Sequence, residues 1–324
     1  MPRTQLLAFL FISSVSAAIL PPTMQEFTRE GEPRVWSPSE HAQIWQEYGL
    51  VEAEQATYKG SRKPFTITAW RLNDATGALA AWQWQRPQDA TPIKNSPLSS
   101  SFPQGVIAAS GNYLLRFDGY RPTASELEGF FADMPGRVKS GLPILPTYTP
   151  STITRNSERY IIGEKTLAEF LPGWSVEKAA LTPGVEIQVA QLGKFNLAIF
   201  RYPTQHIARQ KIEEFSTQEQ LTVHRSGPLV AVIFAPDGSQ PSRKVAESAF
   251  ESVQFRAIVV ENEANPAAFV KSAADMLMNI FVLAGILLLI CLGAGLVVGV
   301  IRYFSFAKKG ELTSAMQTLN LRDR

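Results

Sequence analysis

PFTITAWRLNDATGALAAWQWQRP, residues 64–87, decides how the chain is read. Pro64 to Leu72 alternates apolar and polar positions and is rich in β-formers, which predicts a strand. Asn73-Asp74-Ala75-Thr76-Gly77 carries turn chemistry, and Ala78 to Trp84 then reads as the returning strand of a hairpin. On that reading Trp82 and Trp84 share one strand face, with Trp70 on the partner strand. Such a face either packs beneath a helix or forms an aromatic platform for a sugar or peptide. Trp70, Trp82 and Trp84 are therefore the candidate ligand-binding residues.

Working outward, Ile19 to Pro38 is polar and proline-punctuated and reads as an extended lead-in. Ser37-Pro38-Ser39-Glu40 predicts a helix start, with Ser37 as N-cap and Gly49 ending the helix after Tyr48. Leu50 to Tyr58 predicts a strand. Arg86 to Ser110 is rich in Pro, Ser and Gly and reads mainly as loop. Tyr113 to Phe117 predicts a buried strand, Asp118-Gly119 a turn, and Pro122 a helix with Leu127, Phe130 and Phe131 inward.

LPILPTYTPS, residues 142–151, marks a linker, and the pattern then restarts. Trp174 to Leu181, Val185 to Leu192, Phe195 to Arg201 and Leu229 to Phe234 predict strands. Pro203 and Pro241 predict helix starts. The stretches GNYLLRFDGYRP and GPLVAVIFAPDGSQP match down to the Asp-Gly pair and the following Pro, and the hairpin of each half matches in outline. The period of about 116 to 120 residues makes each copy domain-sized, a tandem duplication rather than a solenoid. The expected fold class is α+β, two similar halves each pairing an antiparallel sheet with helices. The corresponding segments are a first half over 19–141, a linker over 142–165 and a second half over 166–256.

GEPRVWSPSEHAQIWQEYGL, TITAWRLNDATGALAAWQW and LAIFRYPTQHIARQKIEEF resemble a family of uncharacterised exported bacterial proteins. Its members pair a Trp/Tyr-x-Pro helix start and a Tyr-Gly with a hairpin, and later carry Tyr-Pro-Thr-x-x-x-Ala, here Tyr202-Pro203-Thr204 with Ala208. The resemblance spans most of residues 30 to 255. The Asn-Gly-rich stretch associated with the end of the family's first helix is missing here. The resemblance implies export and supplies no activity and no functional residues.

The ends give topology. Met276 to Ile301 carries no charged residue over 26 positions, and about 20 apolar residues suffice to cross a bilayer as a helix. Arg302, Lys308, Lys309, Arg322 and Arg324 follow it, which predicts residues 302–324 in the cytoplasm and the large N-terminal part outside. Residues 257–275 form the juxtamembrane segment. Arg3, the apolar Leu6 to Ile12 and the small residues at Ser16-Ala17-Ala18 predict a signal peptide over 1–18. A bacterial inner-membrane protein with one span is the expected localisation. Gly295 and Gly299 form a GxxxG pattern, a candidate for self-association of the span as a homodimer.

Composition narrows the chemistry. Setting aside five basic and two acidic residues in the tail, and Arg3, leaves 25 basic and 27 acidic residues in the exported part. That near-neutral balance lacks the electrostatic footprint of a nucleic-acid binder. The single cysteine, Cys291, lies in the span, so the exported part has neither disulfide nor thiol nucleophile. His41, His206 and His224 lack metal-ligand spacing, and no P-loop, G-x-G-x-x-G or G-x-S-x-G occurs. No metal, cofactor or catalytic residue is expected. The expected function is binding of an envelope protein or ligand. Alternatives are a hydrolase of an envelope polymer, built from scattered carboxylates and the tryptophan face, and a short-tailed transducer.

Overall fold

A computed structural model of the chain describes residues 18–61, 63–263, 278 and 280–301. The expected signal peptide, nearly all of the juxtamembrane segment and the tail lie outside them. Contacts divide the chain into two compact units that meet at Ile258–Val259.

The first unit begins with β1 (Thr23–Met24), β2 (Phe27–Val35), α1 (Ala42–Glu47), β3 (Leu50–Lys59), β4 (Phe65–Leu72) and α2 (Ala75–Gln85). It continues with β5 (Thr91–Ile93), β6 (Ser96–Phe102), β7 (Gly105–Ser110), β8 (Tyr113–Asp118) and α3 (Ala124–Ala132). After a 3-10 turn at Leu145–Tyr148 come β9 (Arg159–Ile161), α4 (Glu164–Phe170), α5 (Val176–Ala179), β10 (Glu186–Leu192) and β11 (Phe195–Arg201). The last elements are α6 (Gln205–Ser216), β12 (Thr222–Ser226), β13 (Leu229–Phe234) and α7 (Arg243–Glu263). In the second unit α8 (Ile280–Ile301) is long and apolar enough to cross a membrane. The fold is α+β, with two all-antiparallel sheets ordered β1-β2-β3-β4-β8-β7-β6-β5 and β12-β13-β11-β10-β9.

The decisive stretch is a strand followed by a helix, not a hairpin. Asp74 is an N-cap whose carboxylate accepts the Gly77 N–H at 2.9 Å, and Ala75 to Gln85 is helical. Alanine is the best helix former, and four of the eleven residues are alanine. The 3.6 period is absent because nearly every side of α2 is buried. One side lies on β4, β7 and β8, and another lies on β9 of the second sheet. Gly77 permits the closest approach: a Cβ there would stand 2.1 Å from the Tyr48 carbonyl oxygen.

Four other expectations are corrected. Residues 86–110 form β5, β6 and β7, because Ser and Gly positions are tolerated where every strand has a paired neighbour. Trp174–Leu181 is not a strand; Ser175 caps the short α5 by accepting the Lys178 N–H. The first helix starts at Ala42 rather than after Ser37, with His41 left-handed at its N-cap. The lead-in supplies β1 and β2, and Ile19, Leu20, Met24 and Phe27 complete the core beneath α3. That core joins Leu127, Phe130 and Phe131 of α3 to Phe65, Ile67, Tyr113, Leu115 and Phe117 of the sheet. The α3 start carries a full capping box between Thr123 and Glu126.

The two sheets share an order. β2-β3-β4-β8-β7 runs parallel in plan to β9-β10-β11-β13-β12, with α2 or α6 between the third and fourth strands in sequence and α3 or α7 following the last. The register agrees residue for residue. Arg71 faces Tyr113 and Thr66 faces Asp118, just as Arg201 faces Leu229 and Asn196 faces Phe234. Each arginine forms a cross-strand ion pair, Arg71 with Glu52 and Arg201 with Glu186. Asp74 and Thr204 cap the equivalent helices. The equivalence is shifted by one element from the outline match, since β3–β4, not β4 with α2, corresponds to β10–β11. The Asp-Gly pairs do not coincide: Asp118 ends β8, whereas Asp237 follows the end of β13 by three residues.

Candidate functional site

The tryptophans come first. Trp45 of α1 stacks on Trp70 of β4 at 5.5 Å and 12°, and Trp36 meets both at 5.4 Å. Trp84 joins through Trp45 at 5.3 Å, with the exposed His41 ring 5.7 Å away. Trp70 is 4 % exposed and Trp82 6 %. Neither presents a ring to solvent, and neither buried indole N–H has a hydrogen-bond partner. Trp70 and Trp82 therefore pack in the interior, whereas Trp84 is half-buried. The helix turns Trp82 away from Trp84, and the Arg86 guanidinium covers it at 4.1 Å.

A polar seam joins the two sheets. Gln83 of α2 and Gln188 of β10, both buried, exchange amide hydrogen bonds at 3.1 and 3.4 Å. Arg159 donates to the Gln83 carbonyl at 3.0 Å, and Arg86 pairs with Glu158 at 2.7 Å. Burial lowers the pKa of both guanidiniums from the usual arginine range, and Glu158 opposes the shift in each. The Asn156 amide donates to the Pro87, Gln88 and Ala90 carbonyls within 3.2 Å. Gly163, the N-cap of α4, has no side chain to offer. The Glu47 carboxylate, from α1, takes that role and accepts the Lys165 and Thr166 N–H groups at 2.7 Å each. A cavity of about 270 Å³ opens beside the seam, lined in part by Gln88, Asn156, Arg159 and Asn196.

The larger recess lies in the first half. A cleft of about 930 Å³ is bounded by α3, by β6 and β7, and by residues 137–142. Leu98, Leu127, Phe131 and Leu142 give it apolar walls; Arg137 and Lys139 bring two cations, against one carboxylate from Glu128. Among the described residues neither cation is in an ion pair. The strap carrying them is tied down: the Val138 N–H donates to Asn112 Oδ1 at 2.8 Å, and Ser140 Oγ accepts the Ala75 N–H at 3.4 Å. Leu142 and Val138 are half exposed, at 51 % and 52 %. Such a mixed cleft is suited to holding an extended ligand with apolar and anionic groups.

Sequence reasoning missed this cleft. Its signal was the basic Arg137-Val138-Lys139 directly after Pro135-Gly136, an exposed apolar residue between two cations. The histidines are dispersed: His41 lies 3.9 Å from Glu169, His224 stacks on Phe250 at 5.3 Å, and His206 is exposed in the first turn of α6. Among the described residues no group of three His, Cys, Asp or Glu side chains is arranged to hold a metal. Gly295 and Gly299 lie on α8, where an added Cβ would meet nothing within 4 Å. Comparison with protein-family models, with curated proteins and with solved structures finds no match.

Proposed function

We propose that this chain is a single-pass envelope membrane protein whose exported α+β unit binds an extended, acidic and partly apolar peptide segment without catalysis. The cleft under the strap carries the reading: it joins an apolar wall to Arg137 and Lys139, and the strap is fastened at both ends of its polar part. Anchoring by α8 supports the membrane assignment, and the basic residues after the span favour an N-terminus outside the inner membrane. Association through Gly295 and Gly299 belongs to the same reading, as does descent of the two halves from one duplicated unit, which the common strand order and register support.

Fluorescence anisotropy of a labelled extended peptide alternating Leu and Glu tests the binding assignment on the full chain in detergent. Wild type is expected to bind it, and to bind the Leu/Lys counterpart at least tenfold more weakly. Arg137→Glu with Lys139→Glu is expected to reverse that preference. Equal binding of both peptides, or an unchanged preference in the double variant, refutes the cleft as the site. Protease added outside spheroplasts is expected to remove the large unit; its protection would refute the orientation.

A further inference from the structure

Four strand edges bound the two sheets, and three are protected. β1 has two residues and pairs only with Phe27 and Thr28 of β2, whose remaining length carries Pro33 and a register shift between Glu30 and Arg34. β5 has three, includes Pro92, and shifts register between Pro92 and Ile93. β9 has three and lies against α2. Short edges, prolines, bulges and covering helices are the devices that keep edges from pairing with other chains. β12 is longer, with five residues, no proline and an unbroken register against β13; α6 lies on one of its faces, but no strand pairs with its outer edge among the described residues.

The internal correspondence sharpens the contrast. β7, the equivalent of β12, is covered on its outer edge by β6, and five of its six residues are buried. Among the described residues no strand lies outside β12, and all five of its residues are only half buried. Both faces of β12 are nonetheless occupied, one by α6 and the other by α7 through the His224–Phe250 stack. The edge is an open, supported slot for one more antiparallel strand.

We propose that β12 pairs edge to edge with β12 of a second copy of this chain, about a two-fold axis centred on His224. The strand suits itself: this register sets Thr222 against Ser226 of the other copy and Val223 against Arg225, and no two permanent charges face each other. A five-residue edge buries far less than the ~1,200 Å² of a stable interface. Two copies held in one bilayer by α8 gain the effective concentration that offsets this. The proposal is independent of what the cleft binds.

The test is disulfide scanning of the full chain in its membrane, with Cys291→Ser removing the native thiol. In this register residue 224 faces itself at about 5 Å between Cα atoms, within disulfide reach, whereas residue 222 lies about 14 Å from its counterpart, out of reach. Under mild oxidation His224→Cys is expected to give at least ten times the dimer of Thr222→Cys. Thr222→Cys co-expressed with Ser226→Cys is expected to cross-link as a mixed pair, which keeps the test valid should loss of the His224–Phe250 stack disturb α7. Val223→Pro is expected to remove the His224→Cys product. No dimer from either His224→Cys or the mixed pair, or equal yields at all three positions, overturns the proposal.

Discussion

Replacing Glu47 tests whether α4 is capped from outside its own sequence. The carboxylate accepts two backbone N–H groups at 2.7 Å, one part-buried and one exposed. A hydrogen bond to a charged group contributes roughly 1.5–3 kcal/mol net, and exposure favours the low end, so Glu47→Ala is expected to cost about 3 kcal/mol. Glu47→Gln keeps one carbonyl acceptor and loses the charge at the helix N-terminus, for a cost of about 1–2 kcal/mol. Gly163→Ser separates this account from a local one. Gly163 has φ −153°, extended backbone that serine adopts freely, and serine in place of glycine at an N-cap is neutral to mildly stabilising on its own. Here, however, its Cβ would stand 2.4 Å from Glu47 Oε1 and displace the carboxylate. Gly163→Ser is therefore expected to destabilise by about 2 kcal/mol in the wild-type background and to stabilise by roughly 0.3 kcal/mol in the Glu47→Ala background. Urea unfolding of the full chain in detergent, followed by tryptophan fluorescence, reads both changes, since Trp45 lies on the same short helix as Glu47. Additive effects, with Gly163→Ser neutral or stabilising in both backgrounds, would refute the clamp.

Gly77→Ala would raise helix propensity by about 1 kcal/mol, yet it is expected to destabilise by about 2 kcal/mol or more, because the new Cβ falls 2.1 Å from the Tyr48 carbonyl oxygen; a gain in urea midpoint would show that α1 and α2 are not so closely packed. Burial raises the phenol pKa of Tyr48, Tyr58, Tyr160 and Tyr202, and pushes that of Tyr113 up to about 12. A raised folded-state pKa means that the unfolded chain loses those protons first, so this stability is intact below the unfolded value of about 10 and is lost as pH rises from there through about 12. The thermal midpoint is expected to fall steeply above pH 10 as tyrosinate absorbance rises, and ionisation without loss of structure would show that the phenols are not buried.

The legible parts of the fold are those whose burial leaves either an alternating pattern or a short continuous apolar run, as in the fully buried β13. β3, β8, β10, β11 and β13 show in their alternation or apolar runs, and α3, α6 and α7 in their prolines and apolar spacing. The least legible element is α2, where contact with both sheets erases the helical period that marks an ordinary surface helix. The same burial made Trp82 and Trp84 read as strand neighbours. β12 was missed because an edge strand with half-buried polar residues has no apolar signature. The cleft combines Gln25 with residues from 95–98, 109–111, 125–132 and 137–142, so beyond the Arg137-Val138-Lys139 stretch no local pattern marks it. The Glu47 clamp joins residues 118 apart.

The position of α2 links the seam to the cleft. Its N-terminal Ala75 N–H meets Ser140 of the cleft strap, and the neighbouring Leu72 carbonyl accepts from the Asn112 amide, whose oxygen in turn receives Val138 of that strap. Its last turns carry Gln83 and Arg86, which reach Gln188 and Glu158 in the second half. Residues 75–86 thus touch the cleft strap at one end and the second half at the other. Buried amides that satisfy each other fix a single register, because sliding either partner strands a polar group out of water. Contacts from the second half thus hold the C-terminal end of α2, whose N-terminal end meets the strap, whereas the outer face of α6 is polar and uncovered. The two helices differ accordingly: α2, buried between the sheets, carries no charged residue, whereas α6, exposed on its outer face, carries several.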